Sequence, residues 1–251
     1  EYYFQKLLNI KKEDVDESFA SHKTIGLVFH ETIELLYKPF IGKHLEIKAL
    51  KDSLLKVDKV LKNTFVRNKE SFDSGKNLII FEVIKSALKT FIQNELQDIK
   101  SGSVIKILAL EHQIKSTLKL NQEAGVLVTG IIDRVDEKNG SVRIIDYKTG
   151  LVNSSNLTIK DMGLICKDPL RTKAMQLMCY AWMYYRSNNI KKISAGIISF
   201  RNLKNGLMEL KIKDSKSDFI EGRSVDRFEE ELKSLIKEIM DPKIDFIDSE
   251  I

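Results

Sequence analysis

Ile25, Val28, Phe29, Thr32, Ile33 and Leu36 recur at the spacing of one helical face and predict a helix over Ser21–Tyr37, which Pro39 then closes. Leu45–Val66 and Leu78–Ile99, rich in Leu, Lys and Glu, predict two further helices. The stretch Ser71-Phe72-Asp73-Ser74-Gly75 supplies the turn chemistry between them. Residues 1–100 therefore read as an almost wholly helical region.

Beyond Ser101-Gly102-Ser103 the period changes. Val104–Leu120 interleaves apolar and polar residues, and Gly125–Val135 is β-branched and apolar, so each predicts a strand. Asn139-Gly140 is a strong hairpin signal, which makes Val142–Tyr147 the antiparallel partner of the second strand. Leu151–Leu170 reads as a polar loop. Arg171–Arg186 is apolar on most sides, as a buried helix is. Ile193–Phe200 predicts another strand, with Leu207–Ile212 returning beside it across Lys204-Asn205-Gly206. A last amphipathic helix repeats at Val225, Phe228, Leu232, Leu235 and Ile239. Helices first, then strands with a buried helix among them, predict a mixed α/β (α+β) fold rather than a doubly wound one.

Composition narrows the picture without deciding it. The 251 residues are 43% apolar and 31% charged, with a formal net charge of +5, which excludes disorder, collagen and coiled coil as the dominant class and permits a phosphate partner. No apolar run is long enough to span a membrane. Two cysteines, Cys166 and Cys179, supply neither a disulfide framework nor a four-thiolate site, which favours a reducing, cytoplasmic setting. The chain opens on Glu1 without Met, with Tyr2-Tyr3-Phe4 reading as the middle of an element, and stops at Asp248-Ser249-Glu250-Ile251 with no tail; both ends suit a fragment of a longer protein or a processed terminus. Neither the Walker spacing around Gly75-Lys76 nor Gly-x-Gly-x-x-Gly is present, so ATP and dinucleotides are not bound by those routes.

The candidate chemistry sits on the hairpin. Asp146 and Lys148, two apart on one strand, project from the same face, and the Asn-Gly turn can bring Asp133 beside Asp146. Two carboxylates and an ammonium there suit a hard cation such as Mg²⁺ or Mn²⁺, with the lysine close enough to hold a water or a phosphoryl group. A surface salt-bridge ladder is the competing reading. Against it, Asp146 lies within the apolar run Ile144-Ile145-Asp146-Tyr147, where a buried carboxylate needs a partner or a metal. Gly26, His30 and Glu34 share a helix flank at one-turn spacing; His30 is either a nitrogen ligand or a solvated helix histidine. Gln176 and Tyr180 stack four apart on the buried helix, either reaching the site or merely pairing within the core. Arg134 either binds phosphate or neutralises Asp136. Glu111, in the first strand, is a secondary candidate.

In series, Gly26-Leu27-Val28-Phe29-His30 with Glu34, Gly130-Ile131-Ile132-Asp133-Arg134-Val135-Asp136, Ile144-Ile145-Asp146-Tyr147-Lys148-Thr149-Gly150 and Gln176-Leu177-Met178-Cys179-Tyr180 resemble the ordered motifs of the RecB-like branch of the PD-(D/E)XK nucleases. The resemblance implies a restriction-endonuclease-like core, a central mixed sheet flanked by helices. The single nuclease domain then spans residues 1–251, with a mostly helical region to residue 100 and the αβ core over 101–251, in a helicase–nuclease type of protein. It further implies Mg²⁺ or Mn²⁺ held by His30, Asp133, Asp146 and the Tyr147 carbonyl. Asp133, Asp146, Lys148, Gln176 and Tyr180 would be catalytic, and Arg134, Glu34 and Glu111 secondary or DNA-contacting. The implied activity is phosphodiester hydrolysis at DNA ends in recombination or repair, beside a helicase region or subunit. The same fold also serves as an inactive DNA-binding scaffold. AddB-type relatives carry an Fe–S cluster, but Cys166 and Cys179 do not match its ligand positions; such cysteines would lie in flanking parent sequence. Lys51, Lys56, Lys59, Lys62 and Arg67 on the second helix suit either a DNA channel or a solvated face.

Overall fold

In a computed structural model the described residues are 22–68, 75–188, 190, 192–213, 215 and 217–245. Tyr2-Tyr3-Phe4, the turn residues Ser71–Ser74 and the end from Asp248 lie outside them. Three helices come first: α1 (His22–Tyr37), α2 (Ile47–Arg67) and α3 (Gly75–Lys100). On α1 the stripe predicted from spacing is buried at Val28, Phe29, Thr32, Ile33 and Leu36, and Pro39 follows in a short 3-10 turn over Lys38–Phe40. These helices pack as one layer, α2 burying Leu50, Val57, Leu61 and Phe65 and α3 burying Phe81, Ile84, Leu88, Phe91 and Ile92.

A five-stranded mixed sheet follows, in the order β1 (Ile105–Lys119), β2 (Gly125–Lys138), β3 (Ser141–Lys148), β5 (Ile193–Ser199), β6 (Leu207–Glu209). The first three strands form an antiparallel meander. The Asn139-Gly140 turn has φ of 53° and 82°, the left-handed pair that a two-residue hairpin loop requires. The sheet then continues in parallel from β3 to β5, across a crossover that contains α4 (Thr172–Ser187), and turns antiparallel again to β6. A chain segment of this length with a helix is what a parallel connection needs.

One face of the sheet carries the α1–α3 layer, which takes Ile145 and Tyr147 of β3. The other carries α4 and α5 (Gly222–Met240), which take Ile144. Covered on both sides, β5 is buried at every position, so it reads as an unbroken apolar run rather than an alternation.

Two expectations change. Leu151–Leu170 is not simply a polar loop: it holds 3-10 turns and the short β4 (Thr158–Ile159), and it buries Val152, Leu157, Ile159, Met162 and Ile165 under α4 and α5. Its apolar residues follow neither period, so no template finds them. Leu207–Ile212 is two strands, because after β6 the chain leaves β5 and β7 (Lys211–Ile212) pairs in parallel with β4.

Candidate metal centre

The centre forms where the alternation of two strands changes face. Gly130 and Ile132 of β2 lie against α4, whereas Arg134 and Asp136, of the same parity, turn to the α1–α3 side, where Arg134 meets Glu95 and Tyr37. On β1, Leu110 packs with the α1–α3 layer while His112 meets Tyr184 of α4. Between them Glu111 adopts φ 44°, a left-handed conformation that a non-glycine residue holds only under local constraint. The registers Leu110↔Arg134 and Arg134↔Ile145 place Glu111, Asp133 and Asp146 side by side on adjacent strands.

Helices approach this rung from both faces. His30 of α1 sets Nδ1 3.4 Å from Asp133 Oδ1. Ligand atoms of His30, Glu111 and Asp133 all lie within 4.8 Å of one another. The backbone N–H of Tyr147 donates to Asp133 Oδ2 at 2.6 Å, fixing the carboxylate across the end of the β2–β3 ladder. The Lys148 carbonyl accepts from Phe200 N–H and so faces β5; by alternation the Tyr147 carbonyl faces the opposite way, into the centre. The Tyr147 ring is buried behind it, 5.7 Å from Phe91 and from Phe200.

Asp146 is 3% exposed and lies with Lys148 Nζ 2.8 Å from its Oδ2. That approach is off line for a hydrogen bond, so Oδ2 is a buried acceptor without an aligned donor, while Lys148 Nζ does donate to Oδ1 at 3.0 Å. Burial and the neighbouring Asp133 charge push the Asp146 carboxyl up to about 6. Burial and Asp133 likewise push Glu111 up to about 7. For His30, burial works downward, but the hydrogen bond and charge of Asp133 outweigh it and raise its pKa above the ordinary value. Crowded carboxylates, one of them buried with only Lys148 beside it, and one imidazole fit a hard divalent cation with mostly oxygen ligands.

The expected ligands are thus gathered with one change of emphasis. The tight set is His30, Glu111 and Asp133, while Asp146 stands beside it and is held by Lys148. Glu111 is no solvated edge residue. The β1–β2 register alone puts it opposite Asp133, and reading that register from the Asn121–Ala124 turn would have found it. Gln176 Nε2 donates to Tyr180 Oη at 2.9 Å. The Tyr180 hydroxyl is raised by burial, with the Asp146 and Asp133 charges acting in the same direction against the hydrogen bond from Gln176. Gly130 was not anticipated: a Cβ there would meet the Tyr180 ring at 2.8 Å and Met183 at 3.0 Å, so its absence lets α4 close on β2. Gly26 shows no such need, the nearest atom to its Cβ position being Thr149 Oγ1 at 3.9 Å.

Of the two readings of Arg134, the structure supports the neutralising of Asp136 and not the phosphate contact. Arg134 is 0% exposed, with Nη1 2.7 Å from Glu95 and Nη2 2.6 Å from Asp136, so it offers no surface to a phosphate and holds buried carboxylates instead. Glu34 pairs with Lys38 at 3.3 Å one turn beyond His30, and its charge reaches Glu111. On α2, Lys62 pairs with Asp58 and Arg67 with Glu31, as on a solvated helix face. Burial raises the Cys166 and Cys179 thiols to about 11 and about 12, which disfavours thiolate chemistry at either.

The model of the PD-(D/E)XK nuclease superfamily matches residues 1–250. No curated protein matches the chain. Among the described residues no helix is long and apolar enough to cross a membrane.

Proposed function

The chain belongs to the PD-(D/E)XK nuclease superfamily, and from that membership we propose that it is a divalent-metal-dependent deoxyribonuclease domain, hydrolysing phosphodiester bonds at DNA ends during recombination or repair. The observation that carries the reading is the rung of Glu111, Asp133 and Asp146 on three adjacent strands, with His30 above it and Lys148 beside it.

When bound, Mg²⁺ or Mn²⁺ supplies Lewis acidity toward a phosphoryl oxygen and neutralises the carboxylates. His30, Glu111, Asp133 and Asp146, with the Tyr147 carbonyl, would hold the ion. Tyr147 N–H keeps Asp133 in its ligating rotamer. Lys148 directs its ammonium protons at the attacking water and at the charge that gathers on the non-bridging oxygens as the P–O bond to the leaving strand breaks. Asp146 keeps that ammonium within 3.0 Å and so sets its direction. Gln176 and Tyr180, joined to one another, orient the strand at the rim. The reading treats residues 1–251 as one nuclease domain, with DNA translocation supplied by a helicase region or subunit, since the chain lacks phosphate-loop spacing.

End-labelled single- and double-stranded DNA incubated with Mg²⁺ or Mn²⁺ tests this. Cleavage by the unaltered chain, lowered by about 10²–10⁴-fold in Asp146→Ala and in Lys148→Ala, is the expected outcome. Cleavage that persists in both variants defeats the site assignment. DNA binding without cleavage favours the scaffold reading.

A further inference from the structure

Beyond the catalytic rung, β1 and β2 continue as a two-stranded arm with one covered face and one bare face. The covered face packs Ile114 and Leu118 with the α4–α5 layer and sets His112 against Tyr184. The bare face is the row of odd-numbered residues, with Gln113 opposite Ile131, Lys115 opposite Thr129, Thr117 opposite Leu127 and Lys119 opposite Gly125, all of them exposed. This row leads along both strands to Glu111 and Asp133, where the alternation changes face. Resting on the nuclease reading, we propose that this bare face is the track for the DNA strand being cut, gripping its phosphates on one side of the scissile bond.

Charge complementarity argues for that occupant. From His112 to Ile132 the only acidic residue is Glu123, in the turn at the far tip. Along β1 and β2 themselves, a phosphodiester chain running in from the tip would meet Lys119 and Lys115 and then no carboxylate of these two strands before Glu111 and Asp133. Neither lysine has an ion-pair partner among the described residues, so neither must break a bond to bind. Gln113, Thr117 and Thr129 add neutral side chains of the kind that hydrogen-bond phosphate and sugar. Leu127 and Ile131, 59% and 48% exposed, offer apolar contact to sugars and base faces. A hollow of about 390 Å³ lined by Gln113, Ile114, Lys115, Thr129, Gly130 and Ile131 lies at the catalytic end. At about 3.3 Å per residue, Lys115 is about 13 Å and Lys119 about 26 Å along the arm from the Asp133 rung. At about 3.4 Å per stacked nucleotide these correspond to about four and about eight nucleotides from the scissile bond.

The test is fluorescence anisotropy of the full chain in Ca²⁺ with labelled DNA oligonucleotides of about 4 to about 16 nucleotides, repeated over a range of salt. The unaltered chain should tighten as length grows through about eight nucleotides. The Lys115→Ala/Lys119→Ala variant should lose that gain, bind the longer oligonucleotides at least roughly tenfold more weakly, and show a salt slope shallower by about 1 for each lysine removed. Leu127→Asp, which puts a carboxylate on the same face without entering the core, should weaken long oligonucleotides in the same way. Length dependence and salt slope unchanged in both variants overturn the track, even where the unaltered chain cuts DNA. An unaltered chain that neither binds nor cuts DNA of any length overturns the nuclease reading and the track together.

Discussion

Arg134 shows how much a neighbour in sequence can differ in role. Asp133 joins His30 and Glu111 in the candidate metal centre, whereas the next side chain points the other way and joins Glu95 of α3 to Asp136 of its own strand, under the ring of Tyr37 at 5.3 Å. Arg143 holds the same Asp136 through two hydrogen bonds of 2.7 and 2.8 Å. Burial works to raise the Asp136 carboxyl, but the two guanidinium groups prevail and hold it below its ordinary range. Replacing Arg134 by Met removes the buried cation shared by Glu95 and Asp136, leaving Glu95 with the Tyr37 hydroxyl and Asp136 with Arg143. Urea unfolding of Arg134→Met should show a loss of about 3–5 kcal/mol. A loss under about 1 kcal/mol would mean that the pair is solvated after all. Glu111 carries the opposite lesson. Its charge opposes the metal-free fold once ionised, so in EDTA Glu111→Gln should match the unaltered chain in unfolding midpoint at low pH and exceed it above about pH 7. It should weaken Mn²⁺ binding by about 10- to 100-fold.

At the level of elements, the helices were legible because one buried stripe recurs at 3.6 residues, as in Val28, Phe29, Ile33 and Leu36 of α1 or Val225, Phe228 and Leu232 of α5. The β2–β3 hairpin was legible from Asn139-Gly140, and with it the meeting of Asp133 and Asp146. What could not be read was the change of face at Asp133. A period-two pattern assumes that a strand keeps its faces, and here Ile132 and Arg134 serve opposite layers. The same assumption hid the burial of Arg134, whereas the pairing of Glu111 with Asp133 follows from the β1–β2 register once it is counted from the Asn121–Ala124 turn. The seating of α4 on β2 depends on one missing side chain. Gly130→Ala should force Tyr180 and Met183 outward and cost about 1–3 kcal/mol in urea unfolding. Stability equal to that of the unaltered chain would show that α4 does not close on β2 as described.

Over the whole molecule, two apolar clusters on opposite faces of one sheet hold a crowded set of carboxylates between them. The crowding has a pH signature. Asp146 rises from 3.8 to about 6 and Glu111 from 4.5 to about 7, so between these values the folded chain binds more protons than the unfolded one. Stability of the metal-free protein contributed by these groups is therefore present at low pH and lost as pH rises through about 6 to 7. Urea midpoints across that range should fall in the presence of EDTA and recover with Mn²⁺, because a cation bound only to the folded state adds stability by mass action. A midpoint that rises with pH in EDTA would contradict the placement of Glu111 and Asp146. The most direct measurement of the account is a Mn²⁺ titration followed by electron paramagnetic resonance, on the unaltered chain and on Asp133→Asn. Saturable Mn²⁺ binding in the unaltered chain, lost in Asp133→Asn, is the predicted result. Binding that Asp133→Asn leaves intact, or no binding at all, would contradict it.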